Sequence, residues 1–193
     1  MRGAACIPRR CRTSTPTAIG DPIAIGAMAL GVDQLLRAIP IGVGATLLMD
    51  ALSVFLKRGF GVRSLDYCML GRWFRHMPAG TFAHVSIAAA EPKPGECTVG
   101  WIAHYTIGVI LALGFLLVAP ADWSTRPTLL PALLYGIVTV AFPFLVMQPS
   151  LGLGIASAKV AKPSRARLKS LITHSIFGLG LYLWALVLSA GLR

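Results

Sequence analysis

The sequence predicts an all-α protein: a four-helix transmembrane bundle with a short interfacial amphipathic helix between the first and second spans. Three observations lead there. Hydrophobic residues make up 55% of the chain and charged residues 13%, about half of the usual ~25% charged share. Three runs, 100–119, 128–147 and 171–190, have the length of about 20 mainly apolar residues that a bilayer crossing needs. A fourth, 39–56, is interrupted by Asp50 but stays within the workable range of about 17–25. A buried helix of a soluble protein keeps a polar face, and these runs have almost none.

Residues 1–34 mix Pro, Gly and Arg, and their apolar piece IAIGAMALGV is too short to span. They read as a disordered extension or one begun upstream of the true start, with Met28 as the alternative initiator. A signal-peptide core, with Ala27 and Ala29 at its cleavage site, is the competing reading. Residues 35–193 form a single membrane domain. Small residues mark close helix packing in lipid: Gly42, Gly44 and Ala45 in the first span, Gly108 and Gly114 in the second, Gly178 and Gly180 in the fourth.

The longest connection, 57–99, contains LDYCMLGRWFRHM. With Ser64 as its cap, it predicts a helix on the membrane surface. Leu65, Met69 and Trp73 recur every four residues, while Arg72, Arg75 and His76 gather elsewhere. Pro78 and Gly80 end it, TFAHVSIAAA reads as another short helix, and EPKPGE, with Glu91 and Glu96, as a solvated turn. The link PADWSTRP is tight and sets Trp123 at an interfacial position. In the third span Pro143 deprives the carbonyl of Thr139 of its donor, which predicts a kink. Cys6, Cys11, Cys68 and Cys97 have no C-x-x-C spacing and read as scattered free thiols.

Basic residues set the orientation. Lys57, Arg58, Arg63, Arg72, Arg75 and Lys93 lie in the first connection, Lys159, Lys162, Arg165, Arg167 and Lys169 in the third, and only Arg126 in the second. Lys and Arg accumulate in cytoplasmic loops, so connections one and three are expected in the cytoplasm and both termini outside it. The third-connection group, Lys159, Lys162, Arg165, Arg167 and Lys169, is expected to bind anionic lipid headgroups. Placement beside apolar runs argues against nucleic acid. GLG at 152–154 lacks the rest of a dinucleotide fingerprint, and no G-x-S-x-G of a serine hydrolase occurs.

With that topology, Asp50, His104, Tyr105, Gln148 and His174 fall at one depth on four spans, near the cytoplasmic face. Ionisable groups in a bilayer face the bundle interior, since lipid exposure costs about 2.5–3.5 kcal/mol or more. Asp50, His104 and His174 are therefore a candidate intramembrane polar site. The same three form a candidate divalent-metal site, with His76 or His84 as further ligands descending from the surface helix. A structural lock built on Asp50 is the simpler alternative.

The stretches LRAIPIGVGATLLMDALSVFLKRGFGVRSLDYCMLGRWFRHMPAGTFAH, PGECTVGWIAHYTIGV, PTLLPALLYGIVTVAFPFLVMQPSLGLGIASAK and RLKSLITHSIFGLGLYLWAL resemble the bacterial domain-of-unknown-function family 2938 over about residues 36–190. The resemblance implies a small, multi-spanning bacterial inner-membrane protein and assigns no catalytic residue. Cys68, Cys97, Lys93 and the N-terminal extension depart from its pattern. The expected function is a small transporter or accessory subunit with a polar site. A membrane-embedded metal-dependent enzyme and a structural component, alone or in a homo- or hetero-oligomer, are the alternatives.

Overall fold

Four long apolar helices dominate the computed structural model, which describes residues 22–62 and 65–191, with side chains from Val32 onward. The candidate spans are Val32–Phe60, Glu96–Val118, Leu129–Ser150 and Pro163–Gly191. The first belongs to a longer helix, α1 (Pro22–Phe60). It is followed by α2 (Tyr67–His76), α3 (Glu96–Val118) and α4 (Leu129–Val138). The third span continues past α4 through a π-helical turn, Pro143–Met147, into α5 (Gln148–Ser150), and α6 (Pro163–Gly191) is the fourth. The described part of the expected N-terminal extension, residues 22–34, is helical and runs on into α1. The rest, residues 1–21 with Cys6 and Cys11, lies outside the described residues.

Extensive packing pairs α1 with α3 and with α6, and α6 with α4, but among the described residues it does not pair α3 with α4. Small residues set each contact. A Cβ on Gly42 would stand 2.6 Å from the Val109 Cα, one on Gly180 2.6 Å from the Ala45 Cα, and one on Gly136 2.6 Å from the Gly178 Cα. Lipid tails are as apolar as leucine, so helices associate through such close fit. Trp123, expected at an interfacial position, is turned inward. It is 2% exposed, packs edge-on against Phe115 at 4.5 Å between ring centroids, and donates Nε1–H to the Thr128 carbonyl at 3.0 Å. A buried indole needs that partner, and the tight α3–α4 link supplies it.

The α-helical pattern of the third span is interrupted around Pro143. The Thr139 carbonyl, denied the proline's absent N–H, accepts from the Phe142 amide at 3.1 Å instead, and the following turn widens to the π form.

α2 is the short amphipathic helix expected between the first and second spans, and it is docked on α3. Its cap is Asp66, which accepts from the Cys68 amide at 2.9 Å; Ser64 lies outside the described residues. The buried positions are Leu70, Gly71 and Trp73, because α2 docks on α3 rather than presenting a Leu65–Met69–Trp73 face to lipid. Gly71 and Gly100 make this approach feasible: a Cβ on either would collide with backbone of the other helix. The corner is closed by Arg72, whose Nε and Nη2 each reach Glu96 at 2.8 Å while Nη1 donates to the carbonyls of Ile87 and Ala90. Cys68 and Cys97, expected as free thiols, form a disulfide across the same crossing, with Cα atoms 3.9 Å apart. Their separation of 29 residues hides the pairing from any local spacing test. The stretch expected as a second short helix holds only a 3₁₀ turn, Ile87–Ala89.

Connections one and three meet at one end of the bundle. The amides of His84 and Ile87 donate to the carbonyls of Ser150 (2.8 Å) and Leu151 (3.1 Å). The third connection turns sharply there, with positive φ at Gly152 and Gly154 and also at Ala156 (48°) and Ser157 (57°), a conformation costly for a side chain-bearing residue.

The small-residue contacts can be tested by overpacking. Gly136→Val and Gly178→Val should each cost about 1–3 kcal/mol and lower the melting temperature of purified protein. Gly191→Val, where an added Cβ meets nothing within 4 Å, should leave it unchanged; equal melting of all three would refute the packing assignment.

Candidate functional site

Asp50 stands on α1 ten residues before Phe60, about 15 Å from the helix end at 1.5 Å per residue. Three side chains converge on it. Tyr67, the first residue of α2, donates its hydroxyl to Oδ1 at 3.0 Å. Tyr105 of α3 donates to Oδ2 at 3.0 Å, and His104 Nε2 lies 3.0 Å from Oδ1. An ionised carboxylate only accepts, so all three partners then donate and the histidine carries a proton on Nε2. The carboxylate side chain is 15% exposed and the imidazole 10%, a setting in which each oxygen needs a partner.

Rings wrap the group. Tyr67 stacks on His104 at 4.1 Å between centroids and 25° between planes, with Trp101 4.5 Å from Tyr67 on another side. Burial, then the Asp50 carboxylate, push the Tyr67 hydroxyl well above its ordinary value of 10.0, so it stays a donor. Tyr67 is the functional neighbour that helix-by-helix depth missed, because depth was counted on the spans alone and α2 folds back against α3.

His174 is not in this group. Its Nδ1 lies 2.9 Å from Thr139 Oγ1. The single proton of that hydroxyl is committed to the Gly136 carbonyl at 2.6 Å, so Oγ1 accepts from Nδ1–H. A neutral ring then has Nε2 left as an acceptor. Gly180 of α6 abuts Ala45 of the antiparallel α1, which keeps His174 near the Asp50 level, but its partner is Thr139 of the third span and not Asp50. Ser170, not His174, is level with Gln148: Gln148 Nε2 is 3.4 Å from Ser170 Oγ.

A cavity of about 310 Å³ separates the two groups. It is lined by Tyr67 and His104 from one group, by His174 from the other, and by Gln148, Lys169, Ser170 and Thr173. Thr46 and Met49 of α1, Ile107 and Leu111 of α3, Phe142 and Met147 of the third span and Phe177 of α6 supply most of the apolar wall. Leu65, Leu153, Ser157 and Val160 extend it to the end where connections one and three meet. Gln148 is 5% exposed, and its Oε1 has no hydrogen-bond partner. Lys169, expected among the headgroup lysines and arginines, lines this cavity, whereas Lys159, Lys162, Arg165 and Arg167 are exposed, Arg167 also donating to the Ala156 carbonyl at 2.9 Å.

The proposed metal ligands do not gather. His76 and His84 pair with each other, ring centroids 4.9 Å apart, and His76 Nε2 meets the Glu91 carbonyl at 2.9 Å. Among the described residues no three of His, Cys, Asp or Glu are grouped to hold a metal ion. α2, which ends at His76, is fixed on α3.

Fold and site thus define a multi-span helical membrane protein with a polar-mouthed cavity between its spans. The chain belongs to the family described as "Protein of unknown function (DUF2938)", whose model matches residues 39–188. No curated protein and no solved structure matches it.

The Asp50 group can be probed by two substitutions. Asp50→Asn keeps an acceptor for Tyr67 or His104 and should preserve the fold. Asp50→Leu leaves buried donors unpaired at about 1–3 kcal/mol each and should melt at a clearly lower temperature. Equal melting of the two variants would show that the carboxylate holds nothing together.

Proposed function

We propose that this is a bacterial inner-membrane protein that takes up a small molecule in the cavity among its four spans, as a small transporter or as a solute-binding accessory subunit. One observation carries the reading: a cavity of about 310 Å³ with a buried, unpartnered amide oxygen on Gln148. Solute sites in membrane proteins lie between helices, with a few polar groups placed in an apolar wall. The Asp50 group serves as the lock joining α1, α2 and α3, and His104 carries that lock to the cavity wall. Anionic headgroups would gather at Lys159, Lys162, Arg165 and Arg167, all exposed at the mouth end.

Accessibility tests the cavity. In protein with Cys6 and Cys11 changed to Ser and the Cys68–Cys97 disulfide intact, Ser53→Cys, on the cavity wall, should react with a small water-soluble methanethiosulfonate. Leu47→Cys, on the exposed flank of α1, should not when the protein is in a bilayer. An unreactive Ser53→Cys would mean a dry, structural interior and would sink the reading.

Orientation is proposed from charge. Eleven Lys and Arg residues in connections one and three favour the cytoplasm for that end, which places both termini outside. The disulfide favours the opposite arrangement, since such bonds persist in oxidising compartments and Cys68–Cys97 belongs to this same end. A C-terminal reporter active only in the cytoplasm decides between them. Silence is expected from the charge argument; strong activity would put the disulfide end, and the cavity mouth, outside the cytoplasm.

A further inference from the structure

The Cys68–Cys97 bond spans a crossing that is held by other means on every side. Gly71 and Gly100, one turn on from each cysteine, let α2 and α3 meet backbone to backbone. Arg72 grips Glu96 through two nitrogens, each at 2.8 Å, and reaches the carbonyls of Ile87 and Ala90 as well. Tyr67, next to Cys68, is tied to Asp50 at 3.0 Å. None of these contacts needs the sulfur–sulfur bond. When it opens, the two thiols therefore stay side by side, on α-carbons 3.9 Å apart.

The two sulfurs also differ in access, on which thiol–disulfide exchange depends. Cys97 is exposed and Cys68 half-buried. Cys97 is the second residue of α3 and follows a turn whose Glu91 and Lys93 pair at the surface at 2.7 Å. Water-borne thiols and disulfides can reach it there. An exposed sulfur backed by a sheltered one is the arrangement that exchange uses: the first meets the substrate and the second resolves the mixed disulfide.

We propose that Cys68 and Cys97 are a redox-active pair that reduces an external disulfide, with Cys97 as the attacking sulfur and Cys68 as the resolving one. This goes beyond the cavity reading and does not depend on it. The Cys97 thiolate attacks one sulfur of the substrate; the substrate's S–S bond breaks, a mixed disulfide forms and the first substrate thiol leaves. The Cys68 thiolate then attacks Cys97 Sγ, the second substrate thiol leaves and the Cys68–Cys97 bond closes. The electron pair passes to the substrate, and the protons lost by the cysteines end on the product thiols. Direction follows from the crossing: sulfurs already in place close readily, so the reduced pair is the donor. An external dithiol regenerates it by the reverse exchange.

The full-length chain carrying Cys6→Ser and Cys11→Ser, reduced with dithiothreitol in nanodiscs and then freed of it, tests the proposal. Reduction should leave the gel-filtration profile unchanged and the melting temperature close to that of the oxidised protein. Oxidised glutathione should then restore the disulfide, releasing both of its halves as thiols, with no glutathionylated protein accumulating. Adding Cys68→Ser should trap a stable mixed disulfide on Cys97. Adding Cys97→Ser instead, which leaves only the sheltered sulfur, should slow the reaction with glutathione about tenfold or more, because attack needs access. A bond that dithiothreitol opens only on unfolding, or whose loss collapses the melting temperature, is a structural cross-link and would overturn the proposal. Accumulation of glutathionylated parent protein, or equal rates for the two single-cysteine variants, would overturn it too. If a single-cysteine variant does not fold, reduction and reoxidation of the parent still decide.

Discussion

The carboxylate of Asp50 is the constraint around which the first half of the molecule is arranged. A charge inside a span must find partners within the protein, because lipid offers none. Here the partners come from two other helices: Tyr67 from α2, and His104 and Tyr105 from α3. To deliver Tyr67, α2 has to lie against α3. That approach in turn needs glycine at positions 71 and 100, whose Cβ atoms would otherwise collide with the facing backbone. The Arg72–Glu96 pair and the Cys68–Cys97 bond then fasten a crossing that the polar group already requires.

The second half is arranged by a different means. α6 is the hub: it packs on α1 through Gly180 and Ala45, and on α4 through Gly178 and Gly136. The third span stays close to α6 as far as Thr139, where the hydroxyl meets His174. Beyond it Pro143 forces the π turn, and Phe142, Pro143, Met147 and Gln148 become cavity wall. The cavity therefore sits where a proline-driven change of helical pitch takes the third span out of register with its neighbours. A straight α-helix through 143–147 would present a different set of side chains to that space.

Much of this was legible in the sequence, and the failures have particular causes. Apolar run length identified four spans, and the pairing of Asp50 with His104 followed from depth along antiparallel helices. That inference survived errors in the helix ends because the errors were similar: α1 runs past Leu56 to Phe60, and α3 starts at Glu96 rather than Gly100. The start of α6 was less legible, since the helix extends eight residues before Leu171 through PSRARLKS, a polar segment that hydropathy discards although nothing in it breaks a helix. Tyr67 and the disulfide were illegible for a shared reason. Both depend on how a connecting helix folds back, and an amphipathic pattern says which face is apolar without saying whether lipid or protein covers it. The left-handed turn at Ala156 and Ser157 had no sequence signal either, because neither residue favours positive φ.

The two polar groups also differ in what remains unsatisfied, and this decides which of them can recognise anything. At Asp50 both carboxylate oxygens are engaged, three donors share them, and stacked rings close the surroundings. A ligand there would have to displace an internal hydrogen bond for every one it made, with little net gain. At the cavity the balance is reversed. A buried amide oxygen lacks a donor, and in a neutral His174 whose Nδ1–H donates to Thr139 the Nε2 is left to accept. A carboxylate that looks like the obvious reactive group in the sequence is thus the fixed point of the structure.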